Sequence, residues 1–322
     1  MNFRTLLRFT VCGIFAAALL LSSRLDAQHL TLEGQTGGFL TPTAYVVYTD
    51  KGHVFSHPAV GYHFVNTSNV IGNVQTVSFV EGFANRAEVG YTRSIHTLGN
   101  SAAFSSLWNY DGMNIFSGKV VVLKEGTGGE LVPGIAVGGI VRTGDHFVSG
   151  ALNKELGLGS DTANTNEDLY IAGTKTWLKP PLPLLLNFGW KATNASIFGL
   201  GGQSTRFGGR TFGGVGIPLP LGHGLAAVPS VGFTQEQPQV KNLGAILVGG
   251  KAHIPTTLDY AVRVTQKQKP HFSFDLGIGQ VAGNIGQTAV ATGLPAPYPP
   301  VVLVPVDLKA RKVLGMGLSY RY

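Results

Sequence analysis

After residue 27 no stretch of this chain is long and apolar enough to cross a bilayer as a helix. Many segments of about ten residues instead alternate apolar with polar or small side chains. Leu258, Tyr260, Val262 and Val264 alternate with Asp259, Ala261, Arg263 and Thr265, and Phe272, Phe274, Leu276 and Ile278 with Ser273, Asp275, Gly277 and Gly279. Side chains two apart share one face of a strand, so this period specifies β-structure. The 45 glycines and 17 prolines interrupt the chain too often for long helices. Charged residues make up 13% of the chain, about half the ~25% of a soluble domain. Hydrophobics at 44% and aromatics at 10% exclude a disordered chain, and the glycines follow no three-residue period.

Arg4 and Arg8 precede the apolar run from Val11 to Leu21, and Ala27 follows a short polar stretch. That order is the layout of a cleavable export signal, so residues 1–27 are expected to be a signal peptide and 28–322 a single domain. The one cysteine, Cys12, lies inside the signal, which leaves the exported chain without a disulfide, a thiolate metal site or a lipid anchor. The net charge is +7 with Lys and Arg dispersed along the chain, which does not make a nucleic-acid footprint.

The last segment alternates most clearly. Leu314, Met316, Leu318, Tyr320 and Tyr322 share one face, while Gly315, Gly317, Ser319 and Arg321 share the other. It resembles the C-terminal strand of bacterial outer-membrane β-barrels, and the resemblance implies that Tyr322, with Tyr320 and Leu318, forms the signal read by the barrel-assembly machinery. A soluble sandwich would also alternate, with its apolar face inward. Export, a Gly-rich second face and the terminal segment together favour an all-β fold, a single antiparallel transmembrane β-barrel of about 12–14 strands in the outer membrane, with lipid as its solvent. Candidate strands run over 39–48, 53–65, 73–82, 86–96, 115–124, 131–142, 168–178, 183–193, 206–218, 225–235, 244–254, 256–266, 272–281 and 310–322. Short turns should face the periplasm and long loops the outside. With all fourteen segments the tail at 282–309 falls on the wrong side, so one or two must be misassigned. The candidates for error are 28–36, 244–254 and the Pro-rich piece 294–305.

The segment from Gly34 to Ala44, GQTGGFLTPTA, is followed by Gly52, by Gly61-Tyr62-His63-Phe64 and by Asn85 to Arg93. Over residues 34–94 it resembles the opening of the Yjb-type exopolysaccharide-associated barrels, where such a stretch leads into a strand. Pro42, which lacks an N–H, suits the start or edge of that strand. The glycine runs 199–202 and 213–216 lack the strand-loop-helix setting of a phosphate cradle; glycines facing a lumen would instead leave room inside it. Asp145, His146 and Ser149 hold the groups of a hydrolase, but close spacing alone does not give the geometry, and solvated loop residues are favoured. His53, His57 and His63 recur on one side of an early segment without a carboxylate or thiolate to complete a ligand set, so no metal or other cofactor is expected.

The ionisable residues assigned to inward faces are Glu88, Lys191, Arg210, Asp259, Arg263, Asp275 and Arg321. Either they line an open lumen and bias which solutes pass, or they pair across strands and fill a narrow interior. The functional expectation is a non-enzymatic barrel that passes a small polar solute or supports polysaccharide export. The alternatives are a closed scaffold barrel acting through its loops and, less favoured, a barrel lipid hydrolase.

Overall fold

The computed structural model describes residues 29–67, 72–100, 112–144, 164–177, 182–196, 202–240, 247–266, 271–281, 283–293, 297, 299–307 and 312–321. The expected signal segment, the Asp145-His146-Ser149 group and Tyr322 lie outside them. Fifteen strands follow in order: β1 (Ala59–Asn66), β2 (Gly72–Phe83), β3 (Ala87–Leu98), β4 (Met113–Leu123), β5 (Gly134–Gly144), β6 (Asn164–Trp177), β7 (Leu184–Ser196), β8 (Gly202–Gly216), β9 (Leu219–Gly222), β10 (Leu225–Thr234), β11 (Thr257–Gln266), β12 (His271–Val281), β13 (Asn284–Ala291), β14 (Val301–Asp307) and β15 (Lys312–Arg321).

Twelve of these strands form a closed antiparallel barrel. Each pairs with its sequence neighbour from β1 to β8, then β8 with β10, β10 with β11, β11 with β12 and β12 with β15. The ring closes where β15 pairs with β1 over Ala59↔Arg321 to Asn66↔Leu314. The short β9 extends β8 past Pro218 and pairs with β10, while β13 and β14 form a separate hairpin outside the ring.

Alternation fixes which way each side chain points. In β15 exposed Leu314, Met316, Leu318 and Tyr320 alternate with buried Gly315, Gly317, Ser319 and Arg321. The same parity runs around the ring, so that Phe79, Tyr91, Phe116, Leu169, Phe188 and Trp190 lie on the outside. A water-soluble protein does not expose a continuous aromatic and aliphatic belt of this kind; in a bilayer the belt meets acyl chains, and closure leaves no unpaired edge in hydrocarbon.

The barrel corrects the fourteen-strand expectation at two places. Residues 39–48 are not a strand of the ring but part of a segment lying inside it. The described part of 244–254 is irregular, with an isolated bridge between Gln239 and Ala252. The segment expected at 53–65 begins its strand only at Ala59, just after Pro58, which has no N–H for the ladder. The Pro-rich 294–305 stretch contributes β14 to the outer hairpin, whose base packs Val306 against Leu247, Ala252, Ile254 and Ile285. With both false strands removed, the short turns at 84–86 and 217–224 share one mouth with the end of β15. The ends of β3, β5, β10 and β12 lie at the other, where the sequence separations to the next strand of the ring are longer. The turn at 84–86 is tight because Ala84 and Asn85 both take positive φ, 50° and 52°.

Leu276→Arg, on the outer face of β12, is expected to cost about 2–4 kcal/mol of barrel stability at bilayer mid-depth. Denaturant unfolding in lipid bilayers checks this, and an unchanged midpoint would place that face out of contact with hydrocarbon.

Candidate functional site

The interior of the barrel is the site, and residues 29–49 occupy it. Leu30 and Leu32 are 0% and 2% exposed, and Gln35, Thr36, Ala44 and Val47 are buried with them. The segment folds back on itself through bridges between Leu30 and Thr36 and between Gly37 and Pro42. Pro42 therefore sits in the lumen rather than at the start of a strand. Its carbonyl accepts from Asn187 Nδ2 of β7 at 3.0 Å.

Apolar contacts seat the segment. Leu32 packs among Val65, Met113, Ile115, Ile140 and Phe212, with Leu40 alongside, while Leu30 meets Val47, Ala59 and Val80. Each such leucine contributes about 1.5–3 kcal/mol when fully buried. The glycines of the inner face make the space. A Cβ at Gly315 would lie 2.4 Å from the Phe39 ring, and one at Gly34 of the segment, where φ is +85°, would lie 2.0 Å from Thr92 Oγ1. The Gly-rich inward face is thus cut to the segment it contains.

Three polar ties fix its register, as buried polar groups require. In the first, the Glu88 carboxylate of β3 accepts from Thr36 N at 3.0 Å, Thr36 Oγ1 at 2.6 Å and Val47 N at 2.9 Å. Lys119 Nζ of β4 lies 3.0 Å from the same carboxylate and donates to the carbonyls of Thr36 and Thr43 at 2.9 and 3.0 Å. In the second, Arg142 of β5 grips the Glu33 carboxylate through Nε at 2.5 Å and Nη2 at 2.9 Å, and also donates to Asp168 of β6 at 2.7 Å. In the third, His29 Nε2 meets Asp275 of β12 at 2.5 Å, and Arg263 of β11 donates to both oxygens of that carboxylate at 2.9 and 3.1 Å. At the short-turn mouth Tyr45 hydrogen-bonds Glu125 and Thr176, and Arg321 donates to the Tyr48 carbonyl beneath its ring.

His29 Nδ1 also meets Ser273 Oγ at 3.0 Å, so serine, imidazole and carboxylate stand in a row. Ser273, His29 and Asp275 are all buried, and Arg263 already occupies the carboxylate. The row acts as a tie between the segment and β12.

All seven residues assigned to the lumen lie on the inner face. Glu88, Asp275, Arg263 and Arg321 hold the segment or its partners. Lys191 Nζ stands 3.9 Å from Asp168, and Asp259 is buried beside Gly232. Arg210 donates to the Glu236 carbonyl and to Gln237 Oε1 of the 235–256 connection. Tyr320 and Leu318 face outward on β15. Of the three histidines, His63 is buried inside, 5.5 Å from the His29 ring, whereas His53 and His57 are exposed outside the ring of strands. No cluster of three or more metal-ligating side chains occurs among the described residues. Sequence reasoning missed Glu33, Lys119, Arg142 and Asp168. Parity from Ile115 inward would have reached Lys119, but the run Val120-Val121-Val122 is apolar on both faces and hides it.

Residues 27–211 match the model of a family described as "Protein of unknown function (DUF3034)". No curated protein matches the sequence. Solved structures of similar architecture are outer-membrane barrels. The KdgM porin is 9% identical, with 82% of this chain and 99% of that chain covered at a TM-score of 0.44. The NanC porin is 8% identical, with 82% and 100% covered at 0.44. LpxR from Salmonella typhimurium is 9% identical, with the same coverage and score as NanC. The Yjb-type resemblance is not among these matches.

Lys119→Met leaves the Glu88 carboxylate buried without its cation, a change that costs about 3–5 kcal/mol where nothing compensates. Loss of the compact band on unheated gels should move to a lower temperature; an unchanged transition would show that Lys119 does not hold the segment.

Proposed function

The chain belongs to the DUF3034 family, and we propose that it is a non-enzymatic barrel of the bacterial outer membrane whose lumen its own N-terminal segment keeps closed. On this reading small polar solutes pass only when that segment withdraws. The observation that carries the reading is the filled interior: residues 29–49 stand where a permeating solute would move, tied to the wall through Glu88, Lys119, Arg142 and Asp275.

A channel that stood open would present its inward charges to water; here Glu88, Lys119, Arg142, Asp275 and Arg321 engage the segment. A permanent path for a polysaccharide has no room, which leaves support of polysaccharide export as a role for the loops alone. Withdrawal is the step that separates a gated channel from a closed scaffold. Among the described residues the segment joins the ring through the chain at 50–58, and its ties to the wall are non-covalent, so it leaves without breaking a strand ladder. The lipid-hydrolase alternative gains no support from the buried Ser273-His29-Asp275 row.

A Cβ at Gly61 would lie 3.4 Å from that of Leu30, near the ~3.5–4.5 Å of a disulfide. Leu30→Cys/Gly61→Cys therefore locks the segment to β1. Proteoliposome swelling in sugars and amino acids should be measured on the oxidised and reduced forms. Passage through the reduced form and none through the oxidised form is expected. Equal behaviour contradicts gating: both silent would favour the closed scaffold, and both leaky would show that the segment does not seal the lumen.

A further inference from the structure

Residues 29–49 contain one acidic side chain, Glu33, and neither lysine nor arginine. That single carboxylate is delivered to Arg142, two residues from the end of β5 at the long-loop mouth. The two N–H groups of one guanidinium edge take its two oxygens, the planar fork that favours arginine over lysine for carboxylates. Arg142 Nη1 donates to Asn166 Oδ1 at 3.1 Å, and Asp168 and Lys191 complete the surroundings. Beside the carboxylate a cavity of about 20 Å³ is lined by Glu33, Asp168 and Lys191 and by apolar side chains that include Ile140 and Phe212. It is large enough for a water molecule.

Over the whole inner face, cationic side chains are in excess. Inward Lys119, Arg142, Lys191, Arg210, Arg263 and Arg321 outnumber inward Glu88, Asp168, Asp259 and Asp275 on the described strands. Withdrawal of the segment removes Glu33 and deepens that excess at Arg142.

We infer that Arg142, with Asn166 and Lys191, is a binding site for carboxylate-bearing solutes, and that Glu33 occupies it in the closed state as a competitor built into the chain. An organic acid or acidic sugar reaching the site from the long-loop mouth takes the guanidinium fork from Glu33, and the segment loses its tie to β5 and β6. The inference rests on the gated-lumen reading, since competition requires that the segment can leave.

The test reads release of the segment rather than passage of solute, so the two ideas fail separately. Leu30→Cys places a thiol at a position 0% exposed in the closed state. Cys12, the only cysteine of the sequence, falls in the expected signal. Labelling of this variant by a polar maleimide is followed in lipid bilayers with glucuronate, with glucose or with neither.

Glucuronate is expected to speed labelling about tenfold, the size of one charge-assisted contact exchanged, and glucose to leave it unchanged. Glu33→Gln in the same background should speed labelling without any acid and lower the glucuronate concentration needed. Arg142→Lys should abolish the response. If that variant fails to give a heat-shifted band, Glu33→Gln carries the test alone. Equal labelling with glucuronate and glucose, or no change in Glu33→Gln, overturns the inference even where swelling shows a gated lumen. Acid-dependent labelling without swelling upholds the site and overturns the channel.

Discussion

Closure of the ladder between β15 and β1 is the constraint on which the rest depends. Aliphatic and aromatic side chains dominate the outward face, so the ring is stable only in a medium that does not penalise that belt, and such a medium offers backbone groups no hydrogen bonds. Each strand must therefore be paired on both sides. Once the twelve strands close, their remaining side chains are gathered into a single interior, and whatever the protein does with polar chemistry at membrane depth it does there.

That interior is lined with polar and charged side chains that need partners. Small barrels fill with side chains; here the wall is short of volume because Gly61, Gly277, Gly315 and Gly317 contribute none, and the N-terminal segment supplies what is missing. Leu30, Leu32 and Phe39 provide bulk, while Thr36, Glu33 and His29 meet the carboxylates and cations that the wall could not otherwise bury. The same arrangement makes the closure reversible in principle, since withdrawing the segment removes a core without opening a ladder.

The ring was legible in the sequence because lipid enforces one rule at every outward position, and the C-terminal alternation from Leu314 to Tyr320 states it plainly. Inward charges such as Asp275 and Arg263 were legible for the same reason. The segment was not. Residues 39–48 alternate apolar with polar well enough to be read as a strand, and periodicity carries no information on whether an extended chain joins a sheet or lies inside it. The Thr-Pro-Thr-Ala word suits the start or edge of a strand at Pro42 and carries no sign of Asn187 of β7, which donates to its carbonyl. Glu33 was invisible because its partner, Arg142, is 109 residues away, and no local pattern encodes that pairing.

The closed lumen requires that residues 29–49 be built into the barrel in its resting state. Amide hydrogen exchange of the folded protein in lipid nanodiscs measures this directly. Peptides covering the segment should exchange as slowly as those covering β3, β5 and β12, because the amides of Thr36, Ala44 and Val47 donate to Glu88 and Thr174 inside the ring. Exchange of the segment at the rate of an unstructured chain, with the strands protected, would contradict it.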